Sequence, residues 1–184
     1  MNKPRNFYKN TCHHLYNRGT NKGKIFFEDE EYLYFLKKAG YYKVKYKIDI
    51  LAYCLMPNHF HFFIKQKTND FTISQFISSL LNSYTKSINI KYKRSGTLFE
   101  SKTKSKEIKD ESYFMWVIKY ILENPLKANL VTAIESWDYS NAKDLLNLRE
   151  GKLTNVGLVT SYFQSKEQMI KFLRDPDIKT SYEF

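Results

Sequence analysis

The order of predicted elements is strand, helix, strand, strand, helix, strand. It is the order of an α+β, ferredoxin-like split βαβ domain with a four-stranded antiparallel sheet. Three observations predict it. Thr11 to Arg18 alternates apolar and polar positions and is closed by Gly19, which reads as a first strand. Two apolar runs, Tyr46 to Leu55 and Phe60 to Ile64, flank the tight Met56-Pro57-Asn58 turn and read as a hairpin. Two stretches of helical spacing lie one before and one after that hairpin.

The remaining elements follow in order. Residues 1–10 are polar and basic and read as an arm. In the first strand Cys12, His14 and Tyr16 share one face, and His13, Leu15 and Asn17 the other. The adjacent pair His13 and His14 is therefore split between faces and reads as structural. Glu28-Asp29-Glu30-Glu31 suits a first helical turn, and Tyr32, Phe35, Leu36 and Ala39 continue it. Phe71 to Tyr92 is the second helix, with Ile73, Phe76, Ile77, Leu80, Leu81, Tyr84 and Ile88 at helical spacing, and Ser95-Gly96 breaks it. Leu98 to Ile108 reads as a fourth, interior strand with Lys102, Lys104 and Lys106 on one face. Both helices fall on one face of the sheet. A third helix, from Glu111 to about Glu123 with Asp110 as N-cap, can cover the open face, and Pro125 is expected to end it. A small helical extension follows, with Ala142 to Leu148, Val156 to Phe163 and Gln168 to Leu173 as its pieces. The chain therefore reads as a domain over 1–134, an extension of the same domain over 135–175 and a mobile tail over 176–184.

Composition narrows the function. Hydrophobic residues make up 42% and aromatic residues 17% of the 184, so the chain can bury a core and is not disordered. Its net charge of +11 favours a polyanionic partner, most simply nucleic acid. No apolar run has the length of a membrane span and the N-terminus does not resemble a signal, so no membrane partner is expected. Cys12 and Cys54 lack metal or redox spacing and read as buried thiols in a cytoplasmic protein.

Two features suggest chemistry. His59 and His61 alternate with Phe60, so a strand sends both imidazoles to one face. They read either as a pair of metal ligands or as polar residues at a strand edge. Between Lys86 and Lys109, eight basic residues face two acids. Lys93, Arg94, Lys102, Lys104 and Lys106 in that stretch, with Arg18 and Lys22 after the first strand, are the candidate nucleic-acid contacts. The alternative for the lysine strand is an edge kept basic against aggregation, which an interior position argues against.

Several motifs together carry a family resemblance. They are Asn17-Arg18-Gly19 with Ile25-Phe26 downstream, Met56-Pro57-Asn58-His59-Phe60-His61, Gly96-Thr97-Leu98-Phe99, and Tyr120-Ile121 with Asn124-Pro125. In this set the chain resembles the single-tyrosine HUH transposases of insertion sequences, in particular the branch of REP-associated tyrosine transposases. Trp137-Asp138-Tyr139-Ser140 resembles that branch's Trp-x-Tyr-Ser element, and Val156 to Leu173 its C-terminal helical piece. The match spans roughly residues 10 to 173.

The resemblance implies a ferredoxin-like enzyme that binds DNA hairpins and cleaves and rejoins single-stranded DNA beside them through a 5′-phosphotyrosine intermediate. It implies Tyr120 as nucleophile, and His59, His61 and Asn124 as ligands of a divalent metal, Mg²⁺ or Mn²⁺. It also implies a monomer, with a homodimer as the alternative. The chain departs from the common pattern at Glu123, where an aliphatic residue is usual. This carboxylate either joins the metal or faces solvent, and solvent is the expectation. Tyr113 is the competing nucleophile. A non-catalytic, domesticated binder of hairpin DNA or RNA, and a phosphodiesterase using water, are the alternative functions.

Overall fold

Period-two alternation in the strands sorts side chains onto two faces, and each face is covered by its own helical layer. A computed structural model describes residues 7–178. Most of the basic arm read over residues 1–10 and of the tail read from 176 lies outside the described residues. The strands are β1 (Cys12–Arg18), β2 (Ile48–Met56), β3 (His59–Gln66) and β4 (Lys104–Ile108). They form one sheet in the order β2-β3-β1-β4, and every pairing is antiparallel.

On one face Leu15, Tyr53, Leu55, Phe60, Phe62 and Ile64 pack against α1 (Asp29–Lys45) and α2 (Ile73–Lys91). Helix α2 begins at a capping box: the Gln75 amide donates to the Thr72 hydroxyl and the Gln75 side chain accepts from the Thr72 amide. On the other face Cys12, Ala52, Cys54, Met56 and Phe63 meet Phe114, Val117, Ile118, Ile121 and Leu122 of α3 (Glu111–Lys127). The extension supplies α4 (Ala142–Leu145), α5 (Val156–Thr160) and α6 (Lys166–Arg174). Its Leu145, Val159, Met169 and Leu173 join this second cluster, so it shares a core with α3.

The structure corrects three expectations. The fourth strand is shorter than Leu98 to Ile108. Leu98 and Phe99 are buried but belong to an irregular segment whose one bridge is Gly19 to Phe99. Two apolar side chains there mimic a strand start. Next, β4 is an edge strand and not an interior one, because it pairs only with β1. Its alternating lysines therefore also protect an open edge. Finally, Pro125 lies inside α3 and does not end it. Proline deprives the Ile121 carbonyl of its N–H partner. The Asn124 side-chain amide takes that place, donating to Ile121 O (3.3 Å) and to Tyr120 O (2.9 Å), and the helix runs on to Lys127.

His13 lies in the first layer, buried, with Thr11 Oγ1 at 3.1 Å and Ser105 Oγ at 3.2 Å. The Thr11 hydroxyl donates to Tyr8 O and so accepts from His13 Nε2–H, leaving Nδ1 to accept from Ser105. Burial lowers the His13 pKa from 6.5 to about 4. Above pH 6.5 neither folded nor unfolded chain protonates this group. Below 6.5 the unfolded chain takes up the proton first, so stability falls as pH drops towards 4. Between pH 6.5 and 5 the loss from His13 is about 1.6 kcal/mol. Urea unfolding at the two pH values measures it: His13→Gln is expected to reduce the acid loss by about that amount, and an unchanged loss refutes the assignment.

Candidate active site

The β3 alternation directs His59 and His61 to the α3 face. Strand register sets Arg18 opposite His59, Tyr16 opposite His61, Lys104 opposite Tyr16 and Lys106 opposite His14. Histidines, phenol and lysines therefore share one face. A cleft of about 370 Å³ opens there, its lining including Tyr16, Lys22, Asn58, His59, His61 and Lys104.

Helix α3 carries Tyr120 over this face. Its ring lies edge-on, 5.8 Å from that of His61 and 6.1 Å from that of His14. Lys127 Nζ, two turns on, stands 4.8 Å from the ring centroid. Burial, and then Tyr16, raises the pKa of the Tyr120 phenol. The phenol is harder to ionise than in water, so help for its attack has to come from the electrophile. Tyr113, on the same helix, is 47% exposed.

Both histidines are shifted towards the neutral form. Burial, then His14 and His59, pushes His61 well below its ordinary range. Burial lowers His59, and a side-chain hydrogen bond with Asn124 works against that. Neutral imidazole is the ligating form. His61 Nδ1 lies 2.9 Å from His14 Nε2. Burial, then Lys106, lowers the His14 pKa to about 3, so His14 is a neutral neighbour able to accept the His61 Nδ1 proton.

The donor set passes a direct test for a cation. Asn124 spends its amide N–H groups on the Tyr120 and Ile121 carbonyls, which only accept. Its oxygen is the end left for His59. His59 Nδ1 in turn lies 2.7 Å from the Asn58 side-chain oxygen. A neutral imidazole has one N–H, so it cannot donate to the Asn58 oxygen and to the Asn124 oxygen at once. A cation between His59 and Asn124 resolves that conflict. Among the described residues no three of His, Cys, Asp and Glu form a cage. The donors present, two imidazoles and an amide oxygen, suit an ion that takes its remaining oxygens from phosphate and water.

Glu123, expected to face solvent, is instead mostly buried against two lysines. It pairs with Lys119 Nζ at 3.3 Å and Lys127 Nζ at 3.2 Å, with its side chain 15% exposed. Of the candidate DNA contacts, Lys22 and Lys104 line the histidine cleft, and Lys106 lies on the same face. Arg18 reaches it too, but its guanidinium forms a two-point pair with Glu100, which raises its pKa and offsets its charge. Arg94 and Lys102 line a separate groove of about 910 Å³ between α2 and the 97–103 segment. Lys93, just past the end of α2, is exposed in a left-handed conformation, with φ 49°. The single basic track read from sequence thus divides between two concave surfaces. His14, read from sequence as structural, lies beside His61 and Tyr120, and Tyr16 and Asn58 join the site without having been named as candidates. The β1 alternation signals the first two, since it sets them on the face of Cys12, but only the register shows that this is the histidine face.

A family model described as "Transposase IS200 like" matches residues 8–124. A solved structure described as a REP-associated tyrosine transposase bound to a REP hairpin is 14% identical, with a TM-score of 0.67, over 84% of this chain and 98% of that one. It shows the same fold. A putative transposase from Deinococcus radiodurans R1 is 16% identical over 67% of this chain and 97% of that one, with a TM-score of 0.46. A comparison with curated protein sequences found no match.

Proposed function

The chain belongs to the IS200-like transposase family, and on that premise we propose that it cleaves and rejoins single-stranded DNA beside hairpin elements, with Tyr120 as nucleophile. His59, His61 and Asn124 are the residues that would hold a divalent metal, Mg²⁺ or Mn²⁺. The observation that carries this reading is the convergence of two distant segments: α3 sets Tyr120 edge-on to His61 of β3 and carries Asn124 one turn later on the same helix.

The chemistry divides among the residues. When bound, the metal draws charge off the non-bridging oxygens of the scissile phosphate. Tyr120 Oη attacks phosphorus, an O–P bond forms, and the bond to the 3′ oxygen breaks. The phenol gives up its proton and the departing oxygen takes one, leaving a 3′-hydroxyl and a 5′-phosphotyrosine. A second 3′-hydroxyl reverses the step and reseals a strand without ATP, because the phosphotyrosine retains the phosphodiester linkage. Half-burial keeps water from the phenol and from the ester it forms.

Lys22, Lys104 and Lys106 lie where they can neutralise the strand backbone near the cleavage point. Arg94 and Lys102 offer a second surface for the flanking DNA, with Lys93 beyond the end of α2. Phosphate contacts release counterions, so binding weakens with salt by a slope of roughly −0.7 per phosphate on single strands. The double variant Lys104→Gln, Lys106→Gln is expected to flatten that slope by about 1.4. Fluorescence anisotropy across a salt series measures it, and an unchanged slope removes both lysines from the contact.

We place the protein in the cytoplasm, where the free thiols of Cys12 and Cys54 are stable. No helix among the described residues is long and apolar enough to cross a membrane. A monomer is the assembly proposed, since the extension packs on the same chain's tyrosine helix. The test of the whole reading is a protein–DNA adduct that survives denaturation, formed from hairpin-bearing single-stranded DNA with Mn²⁺. Hairpin binding with no adduct under any metal favours the non-catalytic binder instead.

A further inference from the structure

Asn58 forms, with Pro57, the two-residue turn between β2 and β3. We infer that Asn58 is a positioning residue, holding the His59 imidazole with its proton on Nδ1 and its lone pair on Nε2. The role rests on the metal reading of the site, and deepens it by assigning what prepares one ligand.

The orientation of the Asn58 amide follows from its partners. Its Nδ2 donates to the Lys22 carbonyl at 3.1 Å, and a carbonyl can only accept. The oxygen is therefore the end that meets His59 Nδ1, at 2.7 Å. An amide oxygen also only accepts, and this 2.7 Å contact is the short hydrogen bond of the ring, so the His59 proton is placed there rather than towards Asn124. In the neutral ring this leaves Nε2 without a proton. With Nδ1 taken by Asn58, Nε2 is the ring nitrogen left for a ligand. Free neutral imidazole prefers the other tautomer, which would put a proton where a metal has to bind. Fixing ring and tautomer through the non-ligating nitrogen is how outer partners prepare histidine ligands.

The turn does not depend on the Asn58 side chain for its place. The Asn58 carbonyl accepts from Gly19 N at 2.8 Å, and the Pro57 carbonyl accepts from Ile25 N at 2.8 Å and Phe26 N at 3.1 Å. These backbone bonds anchor the turn to the segment after β1. That segment includes Asn21 and Lys22 at positive φ (54° and 58°), which presents the Lys22 carbonyl to Asn58. His61 is less determined: its neighbour is another imidazole, and either ring can donate. Asn58, by contrast, has its acceptor end fixed by its own bond to the Lys22 carbonyl.

The test uses the full chain, ¹⁵N-labelled at histidine, without metal and above neutral pH. Long-range ¹H–¹⁵N correlation spectra distinguish the tautomers. Wild type is expected to show His59 as the Nδ1–H form. Asn58→Ala should shift it to the Nε2–H form, with the backbone amide spectrum otherwise intact. Asn58→Asp retains the acceptor and should retain the Nδ1–H form even if the Lys22 tie is lost. Mn²⁺ titration, followed by paramagnetic loss of the His59 and His61 signals, then reads ligand preparation at weak affinity. Asn58→Ala should need roughly 10- to 100-fold more Mn²⁺, and Asn58→Asp should stay near wild type. An Nε2–H His59 in wild type overturns the inference. So does an Asn58→Ala protein with wild-type tautomer and Mn²⁺ response. An Nδ1–H His59 with no Mn²⁺ effect at any concentration overturns the metal reading of the site, and separates that failure from failure of the tautomer assignment.

Discussion

Tyr120→Phe is expected to abolish the denaturation-resistant DNA adduct and to lower strand cleavage by about a thousand-fold or more, because removing a nucleophile removes the step itself. Hairpin binding should be unchanged. The substitution keeps the ring and deletes one oxygen, so the edge-on packing against His14 and His61 and the Lys127 ammonium over the ring survive. Stability should change by no more than about 1.5 kcal/mol, the scale of one hydrogen bond. Gel analysis of the adduct and a urea melt of the same preparation separate lost chemistry from lost fold. An adduct that persists in Tyr120→Phe would refute the assignment. The first phenol to examine then is Tyr16, which lines the cleft beside both histidines, with Tyr113 behind it.

Why Tyr16 escapes a sequence reading shows where such a reading stops. Alternation along β1 and β3 is local, so the faces of Cys12, His14 and Tyr16 and of His59 and His61 are legible from residue spacing. Which β1 face meets which β3 face depends on register, and register is a long-range fact. The four-stranded order and the helix on the open face were legible because two helical stretches and a tight hairpin leave few topologies. The ends of elements were not. Leu98 and Phe99 look like strand but fold into a loop, and Pro125 looks like a stop but is accommodated by the Asn124 amide. Of the candidate ligands, Asn124 gains most from the structure. The same amide that lets α3 pass Pro125 keeps its nitrogen on the helix carbonyls, so the oxygen is the end available for the proposed ligand role.

Lys119 was invisible for the same reason, because its partners lie some fifty residues away. It precedes Tyr120, yet its side chain leaves the cleft and is buried at 1% exposure. Its Nζ donates to the carbonyls of Phe172 (3.0 Å), Leu173 (3.2 Å) and Asp175 (2.7 Å), and pairs with Glu123. A cation there satisfies the orphan carbonyls at the C-terminus of α6 and opposes the negative end of that helix. One side chain thus fastens the tyrosine helix to the last helix of the extension.

Lys119→Met retains most of the apolar stem and removes the charge. It leaves three carbonyls, one buried and two partly buried, short of a donor and weakens the pairing of Glu123, which keeps Lys127. A cost of about 3 kcal/mol in urea unfolding is expected, the scale for losing one partner of a buried charge network. Amide exchange should locate the damage. Protection in α6 should fall first, and the β1–β3 core should lose it only with global unfolding. Adding Glu123→Gln to Lys119→Met should recover part of the loss, since the carboxylate would no longer be half-buried beside a missing cation. A loss below about 0.5 kcal/mol, the range of an ordinary surface substitution, would mean that α6 is held by its apolar contacts alone. The intermediate result is the one that bears on function. If α6 loosens while Tyr120 still forms its adduct, the extension stabilises the domain without placing the nucleophile. If adduct formation falls in step with α6 protection, the extension keeps the tyrosine helix over the histidines of its own chain.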